Sequence, residues 1–278
     1  MVSNRRGFTE IEGEALLANG SSQDPEVQDE KKDFRTYPAR FYVLVVYCFT
    51  ILSASTLRLS FSSIDDDAQA FWGVDSSAVD WLVTGSYLMY PIGSAAGEMV
   101  QERQGFVAMI QSAQALTLAG CCFRFLACFW ENTGGYTLLL AGQIMGAVGL
   151  PPLLNGAGVL ATAWFPLAER DNALTCTVAA YVVGLGLSYL LSVELVGEAD
   201  DGTVSGMPTL LGLELGANLV GLVWLAQAVG AAPPTPPSAA AAQRRALDAE
   251  AKAAWAKGGG GGGGGGGSPP APHSPADS

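Results

Sequence analysis

Four polar side chains sit inside stretches that are otherwise apolar: Arg58 in "SASTLRLSFSS", Gln143 and Asn155 in "GQIMGAVGLPPLLNGAG", and Glu214 in "MPTLLGLELGANLVGLVWLAQAVG". None of them is placed for covalent catalysis. The single histidine, His273, lies near the C-terminus, and no nucleophile and base share a motif. The five cysteines, Cys48, Cys121, Cys122, Cys128 and Cys176, all fall within apolar runs and lack metal-ligand spacing, so neither an enzyme nor a metal or other cofactor is expected. A guanidinium, two amides and a carboxylate in an apolar setting offer something else. They supply charge and hydrogen bonds to a small-molecule solute crossing a medium that has none.

That medium follows from composition. Of 278 residues, 49% are hydrophobic and 14% charged, well under the roughly 25% charged share of soluble domains. A net charge of -12 without any basic stripe excludes a nucleic-acid partner. Six apolar runs, at 41–61, 80–99, 106–129, 136–161, 173–196 and 208–230, each approach the roughly 20 residues that cross a bilayer as a helix. None shows the continuous charged face of a soluble amphipathic helix. The fold expected is an all-α membrane protein, a six-helix bundle over 39–230.

The tails differ in composition. Residues 1–38 are polar and of mixed charge, and 231–278 is a low-complexity Ala, Pro and Gly segment, so both are expected to be disordered. No basic start followed by a short apolar core marks a cleavable signal peptide, so the first run is expected to persist as a span. Basic residues sort by side: apart from Arg58 and Arg124, every Lys and Arg lies before the first run, in the loops after the second and fourth, or after the sixth. The other loops, "SSIDDDAQAFWGVDSSA", "ENTGG" and "GEADDGTVSG", carry acids alone. Both termini are therefore expected in the cytoplasm.

On this topology Arg58 lies about three residues, or roughly 5 Å, from the outer end of the first run. Arg124 and Glu194 come near outer ends as well, and Glu214 lies about two turns into the sixth run. Arg124, so close to the interface, is expected to snorkel to the headgroups. Arg58 stands between snorkelling and a place in an outward-facing vestibule. Glu214, with its shorter stem, is expected to face that vestibule. Pro151 and Pro152 remove two donors from the fourth run and should kink or loosen it, with Gln143 and Asn155 on either side of the break. "WFPLAERDNA" places Glu169 and Arg170 at a helix start on the cytoplasmic side, after a proline suited to open that helix. Glu102 and Arg103 occupy the cytoplasmic loop after the second run.

Over residues 37–196 the chain resembles the first half of a major facilitator superfamily transporter. Within it the likeness is to the group named after the feline leukaemia virus subgroup C receptor, whose members move haem-related, choline-like or vitamin-like solutes. The matching stretches are "RFYVLVVYCF", "FWGVDSSAVDWL", "ERQG", "LLLAGQIMGAV" and "WFPLAERDNA". The resemblance implies transmembrane solute transport by alternating access, with substrate contacts at Arg58, Gln143, Asn155 and Glu214, and gating at Glu102, Arg103, Glu169 and Arg170. It departs from the superfamily pattern in three places. "FVAM" stands where basic residues follow the "ERQG" loop. By ungapped matching, Arg58 and Gly149 occupy positions where choline-transporting relatives hold a tryptophan and a glutamine, which argues for a neutral or anionic solute. The superfamily has twelve spans, and six are read here. An incomplete gene product is the expected reason; self-pairing, pairing with a second half, or a remnant without transport are the alternatives.

A non-transporting receptor or scaffold is the competing class of function. The acidic dileucine-like "EGEALL" at 12–17 resembles endolysosomal sorting signals, so the expected location is the plasma membrane or an endolysosomal membrane.

Overall fold

The computed structural model describes residues 38–198 and 203–228. The tails expected at 1–38 and 231–278 lie outside them, apart from Pro38. The described residues belong to one compact unit.

The chain enters helix α1 (Ala39–Ser55) directly after Pro38. Toward its end, hydroxyls bond back to the preceding turn: Thr50 Oγ1 to Val46 O at 2.9 Å, Ser53 Oγ to Thr50 O at 3.0 Å, Ser55 Oγ to Leu52 O at 2.8 Å. Such local bonds satisfy the hydroxyl without water and distort the helix that carries them. Here α1 tightens into a 3-10 turn, Thr56–Arg58.

The acidic loop that follows is not wholly irregular. It contains α2 (Asp65–Trp72), with Asp65, Asp66 and Asp67 in the first turn, where the helix dipole favours anions, and Gly73 in the left-handed conformation at its end. Trp72 is buried, stacks edge-on against Phe61 and donates from Nε1 to Ala127 O at 3.3 Å. α2 thereby closes this end of the bundle.

The apolar run at 80–99 is divided between α3 (Ser76–Leu88) and α4 (Tyr90–Gln104). Pro91 cannot donate to the turn before it, which accounts for the interruption at Met89. Met89 nevertheless keeps right-handed helical angles, and its N–H still reaches Gly85 O. α5 (Phe106–Ala127), α6 (Thr133–Trp164), α7 (Arg170–Leu195) and α8 (Met207–Ala228) complete the bundle. Asn132 caps α6 by accepting from Gly134 N and Gly135 N, and a 3-10 turn, Leu167–Glu169, separates Pro166 from α7. Between α7 and α8 the chain forms a two-residue antiparallel pair, β1 (Gly197–Glu198) with β2 (Val204–Ser205). Among the described residues, five helices are long and apolar enough to cross a membrane. The outer surface agrees: Val45, Leu88, Val178, Val182 and Leu190 are all exposed.

Pro151 and Pro152 do not end α6, which runs unbroken through both. Their rings fill the space beside Gly93 and Gly97 of α4, where a Cβ at Gly97 would come within 2.7 Å of the Pro152 ring. The carbonyl of Val148, deprived of its donor by Pro152, faces Gly93, whose Cβ would lie 2.5 Å from it. The proline pair thus packs directly on the two glycines of α4. α5 and α6 approach equally closely at Gly120, Gly142 and Gly146, as small residues permit in membranes.

Two apolar cores result. One joins Tyr47, Ile51, Ile110, Leu153, Leu160 and Leu225; the other joins Phe61, Trp72, Leu82, Leu139, Met207 and Leu210. Beside them, on α5, α6 and α8, Gln114, Arg124, Gln143, Glu214 and Asn218 are polar and buried.

The close approach at Gly120 has a measurable consequence. A Cβ there would sit 2.5 Å from Gly142 O, so Gly120→Ala should destabilise the detergent-solubilised protein by about 1–3 kcal/mol, read as a lower unfolding midpoint. Gly158→Ala, with nothing within 4 Å, should leave the midpoint unchanged or slightly higher.

Candidate functional site

The polar level is organised around the 3-10 turn Thr56–Arg58. Because the helix ends there, the Leu57 carbonyl has no helical donor of its own. It accepts instead from Arg124 Nη1 and from Gln143 Nε2, both at 3.0 Å. Gln143 Nε2 also lies 3.0 Å from Ser86 Oγ, which ties α6 to α3. One carbonyl of α1 thus receives α5 and α6 together.

Arg124 is fully buried, at 0% exposure, and does not snorkel. Its Nη2 lies 2.9 Å from Glu214 Oε2 on α8 and 3.0 Å from Ser60 Oγ, and its guanidinium covers the Phe61 ring at 5.0 Å. Ser60 in turn donates to Glu214 Oε1 and lies 2.8 Å from Thr56 O, while Ser188 of α7 donates to Thr56 O. Glu214 is 4% exposed and both of its oxygens are engaged, whereas Arg124 Nε is buried without an acceptor. One turn further along α8, Asn218 Nδ2 donates to Ser53 O at 3.0 Å and its Oδ1 accepts from Gln114 Nε2 at 3.2 Å. A carboxylate and an arginine on different helices are tolerated at this depth because each is the other's counter-ion.

Arg58 belongs to the same turn but is arranged differently. It is 5% exposed, and its guanidinium lies over the Tyr87 ring at 4.7 Å with Nη1 3.4 Å from Tyr181 Oη. With Gln143, Ser86, Ala54, Leu57, Gly146, Ala147 and Leu150 it lines a small cavity, about 10 Å³, room for one water-sized group. A larger groove of about 380 Å³, lined by Trp81, Leu88, Leu140 and Ile144, carries no charge and opens on the apolar surface.

Of the expected solute contacts, then, Arg58 and Gln143 share a cavity, and Glu214 joins them through Arg124 and the Leu57 carbonyl. Asn155 stands apart. It is twelve residues, about 18 Å, along α6 from Gln143, exposed, and in contact with Tyr90 Oη at 3.3 Å and Ser94 Oγ at 3.2 Å. Glu194, read as near the same level, is exposed at the end of α7. Gly149, matched by sequence to a relative's glutamine, faces α5: a Cβ there would meet Thr117 Oγ1 at 2.3 Å. The glutamine on the cavity is Gln143.

The expected gating residues lie at the end of the bundle where α1 begins. Glu169 Oε2 pairs with Arg40 Nη2 at 3.0 Å, and Arg40 also covers Phe41 and Phe165. Arg170 donates from Nε to Phe165 O at 3.2 Å and reaches Thr162 O from Nη2, so it caps the end of α6. Glu102 and Arg103 are exposed.

Sequence reasoning sent Arg124 to the headgroups and missed Ser60, Ser188 and Arg40. For Arg124 a signal existed: Gly120 lies four residues earlier on the same helical face, and a small residue there marks the face that packs.

Removing one partner of the buried pair should cost more than removing both. Arg124→Met alone should destabilise the protein by about 3–5 kcal/mol, and adding Glu214→Met should recover a large part of it. Thermal unfolding of the four proteins in detergent gives the cycle.

No protein family model matches the chain. It is 26% identical to solute carrier family 49 member A3 of Xenopus tropicalis over 201 residues, 70% of this chain and 40% of that protein. The protein of that name from Danio rerio is 26% identical over 194 residues, 68% of this chain and 41% of the relative. The choline/ethanolamine transporter flvcr2b of Danio rerio is 23% identical over 190 residues, 65% of this chain and 38% of its own. The chain therefore spans about two fifths of the length of these relatives. These relatives are solute carriers, and with five membrane-capable helices the chain is a multi-pass integral membrane protein similar to transporters of the feline leukaemia virus subgroup C receptor-related group.

Proposed function

We propose that this chain takes part in transmembrane solute transport by alternating access, and that residues 39–228 correspond to the N-terminal six-helix half of a major facilitator fold. On this reading α3 and α4 make one crossing, interrupted at Met89, which brings five long helices to six spans. The excess of basic residues assigns the end carrying Arg40, Arg103 and Arg170 to the cytoplasm, with both termini. A second half, from the same or another polypeptide, completes the cavity over the exposed polar face that carries Tyr90, Ser94 and Asn155.

The observation that carries the proposal is the cavity at Arg58 and Gln143, joined to a buried ion pair beside two apolar cores. Polar groups there are the commonest mark of a solute path through a membrane protein. At the cytoplasmic end, the Arg40–Glu169 pair and the Arg170 cap are the contacts that a gate must break. Their half-exposed ion pair is worth about 0.2–1 kcal/mol, weak enough to open and close.

Initial-rate uptake into vesicles reconstituted with the full chain tests this. With radiolabelled choline, a neutral solute and small carboxylates offered in turn, at least one should enter saturably. That rate should fall at least tenfold in Glu214→Ala and in Arg58→Ala, and persist when residues 231–278 are removed. Equal flux in both variants would remove these residues from the path. Absence of flux for every solute would favour the receptor or scaffold reading.

A further inference from the structure

The apolar groove between α3 and α6 takes no part in the polar network, yet it has the size of a binding site. Its volume of about 380 Å³ falls within the range of about 300–1,000 Å³ usual for ligand pockets. On α3 its wall is Ala78, Trp81, Gly85 and Met89, spaced as one helical face; on α6 it is Tyr136, Leu140 and Ile144, each four residues from the next. From Ser77 to Met89 the groove follows twelve residues, or about 18 Å. Half of a hydrocarbon core about 30 Å thick is about 15 Å. The groove is thus about as long as one leaflet is deep. Spread along that length, its volume gives a width well below the roughly 10–12 Å diameter of a helix. Its floor is open at Gly85, where a Cβ would meet only the Trp81 ring, 4.0 Å away.

The two ends differ. At the inner end α3 gives way to α4 at Met89, and the exposed polar face assigned above to a second half begins beyond it, at Tyr90. At the outer end Ser77 Oγ donates to Asp75 Oδ2 at 2.7 Å, Tyr136 Oη donates to Ala78 O at 2.8 Å, and Asp80 is exposed next to Trp81. Trp and Tyr at such an end settle at the level of the lipid headgroups. No Lys or Arg occurs from 59 to 102 or from 125 to 169, so neither wall offers these carboxylates a cation.

We infer that the groove holds one acyl chain of an outer-leaflet phospholipid, whose headgroup ammonium lies against Asp75 and Asp80 beside the Trp81 ring. Width and length suit a single unbranched chain and not a third helix. The acidic mouth selects a headgroup that presents a cation and disfavours one that is only anionic. That the leaflet is the outer one rests on the topology proposed above; occupancy by lipid rests only on the chain being a membrane protein.

Native mass spectrometry tests this on the full chain, stripped of lipid in detergent and titrated with phosphatidylcholine or phosphatidylglycerol of identical acyl chains. The wild type should retain one phosphatidylcholine, with phosphatidylglycerol bound about fivefold more weakly. Glycerophosphocholine, the headgroup without its chains, should not compete. Gly85→Leu, whose side chain enters the open floor, should weaken phosphatidylcholine binding at least about tenfold. Asp75→Asn combined with Asp80→Asn should bring the two lipids to equal affinity. If Gly85→Leu is not monodisperse, the double variant decides alone. The inference is overturned by a wild type that retains no lipid or holds both lipids equally, by competition from the headgroup alone, or by variants that behave as wild type. A dimer formed in place of the lipid adduct overturns it too, since a second copy would then fill the groove. Solute flux tests transport separately: lipid retained without flux overturns transport alone, and flux without retained lipid overturns the lipid site alone.

Discussion

The Arg124–Glu214 pair, 2.9 Å apart and removed from both water and lipid, constrains the whole bundle. Arg124 rides on α5, Glu214 on α8, and Ser60, which touches both, follows α1. A shift of any of these elements by one helical turn would leave a bare charge among Phe61, Leu210 and Leu211. The net gain from such a pair is small, since desolvation offsets most of the attraction, but the cost of breaking it is large. Its effect is therefore on register. Three elements that pack mostly through small and interchangeable apolar residues are held at one mutual height.

The same level depends on how α1 ends. Hydroxyls at Thr50, Ser53, Ser55 and Thr56 each bond to a carbonyl of the preceding turn, so a hydroxyl-rich helix end is stable without water. The narrowing to a 3-10 turn then frees the Leu57 carbonyl, which two side chains from other helices occupy. A regular α-helix through Leu57 would have offered no such acceptor. The local chemistry of one serine- and threonine-rich stretch is thereby converted into contacts among α1, α3, α5 and α6.

Much of this architecture is legible in the sequence, and the failures share a cause. Length and apolarity locate the helices because backbone satisfaction in lipid leaves little alternative. The positions of Arg58, Arg124 and Glu214 along their helices follow from 1.5 Å per residue. Which way a side chain points does not. Arg124 and Glu194 both lie near a helix end, yet one is buried in an ion pair and the other exposed. Depth alone could not separate them; neighbours on other helices did. The packing of the proline pair is hidden in the same way: α6 runs on through Pro151 and Pro152, and their contact with Gly93 and Gly97 of α4 becomes visible only in the assembled bundle. The helix Asp65–Trp72 was missed because its three leading acids look like loop, although they are what a helix N-terminus favours.

Arg58 and Arg124 show how one residue type takes two roles at one level of a bundle. Both guanidiniums cover an aromatic ring, and both sit beside the Thr56–Arg58 turn. The difference lies in what faces the remaining N–H groups. Around Arg124 the chain supplies a carboxylate, a hydroxyl and a carbonyl, and Nε alone is left without an acceptor. Around Arg58 it supplies one tyrosine hydroxyl at 3.4 Å and an aromatic face. A guanidinium kept buried without a counter-ion is a standing cost to the folded state.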